Sequence, residues 1–122
     1  KREAGDGSGM EDSNGAHGRD MEERGERLVK GATRALEQEV VYNMGRAFHQ
    51  AGLLHMAVPF YQDALTIFDR YQEELRTVDG KGHVTREAAW NLVCIYREGE
   101  CRELARLVVG RYLRMDRGTG IE

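Results

Sequence analysis

The chain contains 122 residues, with 18 Lys and Arg against 21 Asp and Glu, so its formal net charge is −3 at pH 7. This length allows one small domain, and the mildly acidic balance excludes a whole-chain attraction to DNA phosphates. The apolar runs are too short for a membrane-spanning helix of about 20 residues, and two cysteines are too few for a disulfide scaffold. We therefore expect a small globular chain without membrane contact.

The first 33 residues form a glycine-rich acidic segment that we expect to be disordered, with the alternative that it acquires helix from Met21 onward. Residues 1–28 include six glycines but no Phe, Trp, Tyr or β-branched residue, so they offer little surface to bury. Residues 1–33 carry six basic and eight acidic groups, whereas residues 34–117 carry twelve of each. The folded part is therefore expected at residues 34–117, followed by a frayed tail at residues 118–122.

Apolar residues in the expected folded part recur at spacings of three and four, which predicts helices. No segment alternates in the way a strand does, so we expect no sheet. The first helix should end at Gly52, the second run from Leu54 to Leu75, the third start at Thr85 as N-cap and end at Gly99, and the fourth run from about Arg102 to Met115.

The first and second helices form one pair and the third and fourth another, and the two pairs match each other along the sequence. Residues 41–48 (VYNMGRAF) align with residues 89–96 (AWNLVCIY), which gives a period of 48 residues and two repeats at about 38–76 and 85–115. Small and aromatic residues at fixed spacings are typical of tetratricopeptide repeats, whose usual period is about 34. We predict an all-α fold of antiparallel helix pairs stacked as a tetratricopeptide-repeat (α-solenoid) fragment. The close-approach residues would be Gly45, Ala57 and Ala64. The alternative is an ordinary helical hairpin.

Residues 42–53 (YNMGRAFHQAGL) are more particular than a generic repeat. Together with residues 54–65 (LHMAVPFYQDAL) and residues 86–92 (REAAWNL), they resemble the C-terminal repeats of the tetratricopeptide-repeat subunit of transcription factor IIIC. The resemblance covers about residues 38–115 and includes the long spacing between the repeats. Trp90, where the family usually has tyrosine, and the turn at residues 98–101 depart from the pattern.

This resemblance implies a scaffold role rather than an enzymatic one. A member of the family would help to assemble the RNA polymerase III initiation machinery on tRNA-type genes in the nucleus. Its partners would be other factor IIIC subunits and the TATA-factor-containing initiation complex, with DNA reached through the complex. It would need no cofactor and no small-molecule substrate. The alternative function is a general tetratricopeptide-repeat adaptor that binds a peptide or a chaperone tail.

Stacked helix pairs curve, so that the first helix of each pair lines a groove that can bind a protein. The alternative is that the same side chains pack against neighbouring repeats, and the sequence does not decide between these two roles. Two repeats are also fewer than such arrays usually need, so we expect the isolated chain to be weakly stable or to depend on a partner. The candidate groove residues are Tyr42, Asn43, Arg46 and His49 from the first repeat and Trp90, Asn91, Cys94 and Arg97 from the second.

No set of residues in the sequence fits a known catalytic or metal-binding pattern. Residues 80–82 (GKG) lack the hydroxyl residue of a phosphate-binding loop, and His49 and His55 are six residues apart rather than four. We expect Cys94 and Cys101 to be unreactive. The arginines of the fourth helix could contact DNA or form an ordinary solvated face, and the second is the simpler interpretation.

Overall fold

The computed structural model describes residues 2–78 and 83–114, with backbone only for residues 2–14 and 16. Throughout these ranges the secondary structure is helical, without a strand, which confirms the all-α prediction. The helices are α1 (Arg2–Gln50), α2 (Leu54–Arg70), α3 (Gln72–Arg76), α4 (Thr85–Glu98) and α5 (Arg102–Val108), and α5 continues into a π-helical turn (Val109–Leu113). The stacking of the pairs as a solenoid remains a prediction.

Helices α1 and α2 approach each other closely where Gly45 faces Tyr61. A Cβ on Gly45 would lie 2.8 and 2.9 Å from two carbons of the Tyr61 ring, so only glycine fits without a shift. Ala57 and Ala64 are fully buried on α2. Gly45 is therefore at the contact of α1 with α2, and Ala57 and Ala64 lie in the core, while their predicted role as close-approach points of this helix pair stays a prediction.

The turns that follow α1 and α4 have the same backbone geometry. In the first, the amide of Gly52 donates to the His49 carbonyl, and that of Leu53 donates to Phe48. In the second, Glu100 donates to Arg97 and Cys101 to Tyr96, and every residue number is larger by 48. Gly52 and Glu100 both have positive φ, +81° and +60°. The predicted period of 48 residues is thus visible in the hydrogen bonds.

The hydrophobic core lies where α4 packs against the α1–α2 pair. Tyr42 and Phe48 of α1 are partly buried at its edge. Alanines on α2 and α4 allow these two helices to pack closely, as a core of this size requires. The buried core residues are Ala57, Tyr61, Ala64 and Leu65 from α2 and Ala88, Ala89, Leu92 and Ile95 from α4.

A buried amide, that of Gln38, connects three helices. Its Nε2 donates to the Ala64 carbonyl at 3.0 Å and to the Thr85 hydroxyl at 2.8 Å, and its Oε1 accepts from the Val84 amide at 2.9 Å. The N-cap prediction for Thr85 is therefore wrong, because Val84 occupies the cap position and the hydroxyl faces Gln38 and His83 instead. The buried partner decides the role of this hydroxyl.

The amino-terminal segment continues α1, and its predicted disorder stays a prediction. The backbone of α1 is helical from Arg2, although every described side chain between Gly15 and Lys30 is exposed. Packing starts at Gly31, where a Cβ would clash with the Thr77 hydroxyl and the Glu74 carbonyl. Between Gly15 and Lys30 the helix therefore buries none of its described side chains. The 34–117 domain limits remain a prediction, and residues 118–122 lie outside the described ranges.

The predicted second and fourth helices are both divided. The second is interrupted at Tyr71 (φ −125°, ψ 40°), which separates α2 from α3. The fourth changes from α to π geometry at Val109 and ends at Leu113. The π-helical turn is tied to the end of α2, because the Tyr112 hydroxyl donates to Asp69 at 2.7 Å and Arg111 pairs with Asp69 at 3.2 Å. Met115 lies outside the described residues.

Candidate functional site

The Tyr61 hydroxyl is the centre of a hydrogen-bond network between α1, α2 and α4. Asn91 Nδ2 donates to the hydroxyls of Tyr61 and Tyr42 at 3.3 and 3.4 Å, and the Tyr61 oxygen lies 3.0 Å from His49 Nδ1. Burial raises the pKa of Tyr61, and the hydrogen bond from Asn91 opposes this effect. The neutral hydroxyl can accept from Asn91 and donate to His49, so these side chains hold one another in place.

This network forms the floor of a small polar hollow of about 210 Å³. Arg46 and Gln50 complete the lining beside His49, Tyr61 and Asn91. A guanidinium, two amides and an imidazole offer several donors, which suits a peptide backbone or a carboxylate. We name this site the polar hollow.

A larger concavity lies between α4 and the α5–π segment. It measures about 860 Å³, and Trp90 is 53% exposed at its side. We name it the arginine crevice. Its lining consists of Trp90, Val93 and Arg97 from α4 and Arg102, Ala105, Arg106, Val109, Gly110 and Arg114 from the following segment.

Five of the eight predicted groove residues line one of these two sites, and Asn43 and Cys94 line neither. Arg46, His49 and Asn91 line the polar hollow, and the Tyr42 hydroxyl bonds to Asn91 at its edge. Trp90 and Arg97 line the arginine crevice. Whether either set binds a partner stays a prediction.

The two asparagines predicted to be equivalent have different surroundings. Asn91 is half-buried and hydrogen-bonded, because α4 packs against the preceding helix pair. Asn43 is exposed on α1, where the described chain places no such pair before it. The sequence pattern could equate the two positions but could not show that only one is covered.

The cysteines and other potential metal ligands are dispersed. Cys94 is half-buried and Cys101 exposed, and both are free thiols. Within residues 2–78 and 83–114, and among the side chains that the structure describes there, no three His, Cys, Asp or Glu side chains converge on a possible metal position. In the same ranges, no helix combines the length and apolar character that a membrane crossing requires.

The sequence did not single out several residues of these sites. Gln50 and Tyr61 complete the polar hollow, while Arg102, Arg106 and Arg114 line the arginine crevice. The arginines were visible as a basic helix, but their convergence with Trp90 depends on the angle between α4 and α5. The 48-residue period was the available signal, since it aligns Val93 and Ala105 with the first helix contact.

These features define the class of the protein: an all-helical chain with two helix pairs that share one turn geometry. Comparison with curated proteins confirms the resemblance to the tetratricopeptide-repeat subunit of transcription factor IIIC. The chain is 36% identical over 77 residues, 63% of its length, to the transcription factor tau 131 kDa subunit of Saccharomyces cerevisiae. It is 36% identical over 77 residues to general transcription factor 3C polypeptide 3 of Homo sapiens.

A third relative, transcription factor tau subunit sfc4 of Schizosaccharomyces pombe, is 34% identical over 82 residues, 63% of this chain. The matches cover only 6% of the budding-yeast relative and 8% of each of the other two. No protein-family profile matches the sequence. No solved structure matches it either.

Proposed function

We propose that this chain acts as a protein-interaction scaffold within a transcription factor IIIC complex in the nucleus. The observation that carries the proposal is the 34–36% identity to transcription factor IIIC subunits from two yeasts and human. In this role it contacts other subunits of the complex and supports recruitment of the TATA-factor-containing initiation complex on tRNA-type genes. The chain reaches DNA through the complex and performs no catalysis.

The polar hollow is the surface that we assign to a subunit contact. Arg46 is exposed at its rim, while His49 and Asn91 are fixed by the Tyr61 hydroxyl. Donors held in fixed positions bind a partner with little loss of side-chain entropy. The stacking of both helix pairs as tetratricopeptide repeats belongs to the same proposal, and the duplicated turn supports it.

Affinity purification with quantitative mass spectrometry tests this function. The tagged protein should recover the other factor IIIC subunits from nuclear extract. Arg46→Glu should lower their recovery, because it reverses the charge at the rim of the polar hollow. Arg86→Glu is the matched control, since Arg86 is exposed on α4 and lines neither the polar hollow nor the arginine crevice.

Two results would contradict the proposal. Recovery of chaperones without factor IIIC subunits would favour the general adaptor. Equal loss of the subunits with Arg46→Glu and Arg86→Glu would remove the polar hollow as their contact. Circular dichroism of both variants checks that each retains the helical content of the parent chain.

A further inference from the structure

The arginine crevice corresponds, through the 48-residue period, to a space that is filled in the first helix pair. In that pair, Ala57 and Tyr61 are fully buried, the Tyr61 ring lies against Gly45 of α1, and Asn91 of α4 reaches the Tyr61 hydroxyl. The equivalent residues of the second pair are Ala105, which is buried, and Val109, which is 41% exposed. Among the described residues no helix covers Val109 as α4 covers the first pair, so the second pair leaves space there for one more helix.

Helix α4, which packs on the first helix pair, shows what kind of helix fits such a space. Ala88, Ala89, Leu92 and Ile95 of α4 form its buried face in the core. Their spacing of one, three and three residues is that of an amphipathic helix. In the arginine crevice, the buried Val93 and Ala105 and the exposed Val109 form an apolar floor, and Val109 is the part of it that a face of the same kind would contact.

The rim of the arginine crevice determines the charge of its occupant. Four guanidinium groups line it, and none of the described lining residues is acidic. Arg106 has an ion pair with Glu103 at 3.7 Å, but both side chains are largely exposed, so this pair competes weakly with a ligand. Guanidinium groups bind carboxylates in a bidentate manner. An occupant with carboxylates beside its apolar face would complement this rim.

We propose that the arginine crevice binds an acidic amphipathic helix of a partner protein. This inference goes beyond the proposed transcriptional role, because it rests on the repeated geometry and names the chemistry of a ligand. A nucleic acid would satisfy the arginines but not the apolar floor. The correspondence with the seat of α4 therefore favours a protein helix.

A second copy of this chain matches the crevice less well. The face of α1 equivalent to the buried face of α4 is apolar and exposed, with Val40 at 54% and Met44 at 43%. In the first pair, Leu54 and Val58 lie beside the end of α4 and the turn after it, at residues 95–99. Their equivalents are Arg102 and Arg106, which would then lie beside the end of α1 and the turn after it, at residues 47–51 (AFHQA). These residues carry no carboxylate, so a second copy offers no partner there to Arg102 and Arg106.

Trp90, the only tryptophan of the sequence, gives a direct readout of occupancy. The probe is a helical peptide without tryptophan that repeats the Ala, Ala, Leu, Ile spacing of α4, with glutamate flanking the apolar face. A matched peptide has lysine in place of glutamate. We expect the glutamate peptide to shift Trp90 emission to shorter wavelength in a saturable titration. The lysine peptide should bind with an affinity lower by a factor of about ten or more.

Charge reversal at the rim separates the crevice from other surfaces. The double variant Arg97→Glu/Arg106→Glu changes two exposed side chains, so it should retain the fold. It should lose affinity for the glutamate peptide by about tenfold or more and gain affinity for the lysine peptide. Arg86→Glu, outside the crevice, should leave both affinities unchanged. Val109→Trp, which fills the floor, should also weaken the glutamate peptide when followed by anisotropy of a labelled peptide.

The same titrations can overturn the inference. Equal affinity for the two peptides, or no saturable binding of either, removes the acidic helix as ligand. Tighter binding of a duplex DNA with the same dependence on Arg97 and Arg106 assigns the crevice to nucleic acid. Self-association of the chain that Arg97→Glu/Arg106→Glu abolishes assigns it to a second copy. None of these results depends on membership of a factor IIIC complex, which affinity purification tests separately.

Discussion

The side-chain amide of Gln38 and the hydroxyl of Thr85 meet 2.8 Å apart in the interior, 47 residues apart in sequence. Gln38 is fully buried, and its two other hydrogen bonds reach Ala64 and Val84. A buried amide that satisfies three partners fixes the relative position of the helices that carry them, since each lost bond leaves a desolvated polar group. One side chain thus determines how α4 enters the first helix pair.

Gln38→Leu should lower the free energy of unfolding by about 2–3 kcal/mol, because it leaves the Val84 amide and the Thr85 hydroxyl without this partner. Urea titration followed by circular dichroism measures the change. Gln50→Leu, at an exposed position of the same helix, is the control and should change stability by less than about 0.5 kcal/mol. Equal midpoints for the two variants would show that the buried amide contributes nothing.

Gly45→Ala should destabilise the chain by about 1–3 kcal/mol, because the added methyl group would lie 2.8 Å from the buried Tyr61 ring. The second pair has valine at both equivalent positions, Val93 and Val109. The double variant Gly45→Ala/Tyr61→Val should therefore cost less than the sum of the single variants. Calorimetric melting of all four proteins gives the coupling. Strict additivity would mean that the two residues do not share this contact.

The second turn carries its glycine one position too early. Glu100 has φ +60°, whereas Gly99 has φ −85° and room for a Cβ, with the nearest atom at 3.6 Å. Gly99→Ala/Glu100→Gly should stabilise the chain by about 1–2 kcal/mol, because glycine then occupies the left-handed position. Gly52→Ala, the reverse change in the first turn, should destabilise it. A melting temperature that falls with the double variant would contradict this account.

His83 should make stability depend on pH. Burial lowers the pKa of its imidazole, an effect that Glu87 opposes. The unfolded chain therefore binds the proton more readily, so stability is complete above the unfolded pKa of about 6.5 and falls as pH decreases through the folded value. His83→Gln removes this contribution. Urea midpoints of both proteins between pH 8 and pH 5 should diverge in favour of the variant, whereas parallel curves would exclude His83 as the cause.

The fold was predictable where local spacing determines it. Apolar periodicity predicts the apolar face of α1. The turn residues predict the end of that helix before Gly52 and the start of α2 at Leu54. The close approach at Gly45 followed from the spacing of small and aromatic residues. The family resemblance followed from residues 42–65, which belong to the same helix pair.

Features that depend on long-range geometry were not predictable. In the sequence, Gln38 has the character of a solvated polar residue on a helix. It is buried because α4 packs beside it. Thr85 has the residue type of an N-cap, but the buried amide outcompetes the local role. The eight predicted groove residues were assigned to one surface, yet the crossing of α4 and α5 separates Trp90 from the polar hollow. The spacing of residues along one helix gives no information about the angle at which α4 and α5 cross.

The open arginine crevice has a consequence for how the end of the chain unfolds. Ala105 is the only residue buried within α5, and Leu107 on the same helix is 68% exposed. Among the described residues this short helix therefore has neighbours on one side only, and its amides should exchange with deuterium sooner than those of α4. A helix bound in the arginine crevice would slow that exchange. Protection of the backbone amides would then extend from α4 into α5, which reports that the crevice is occupied.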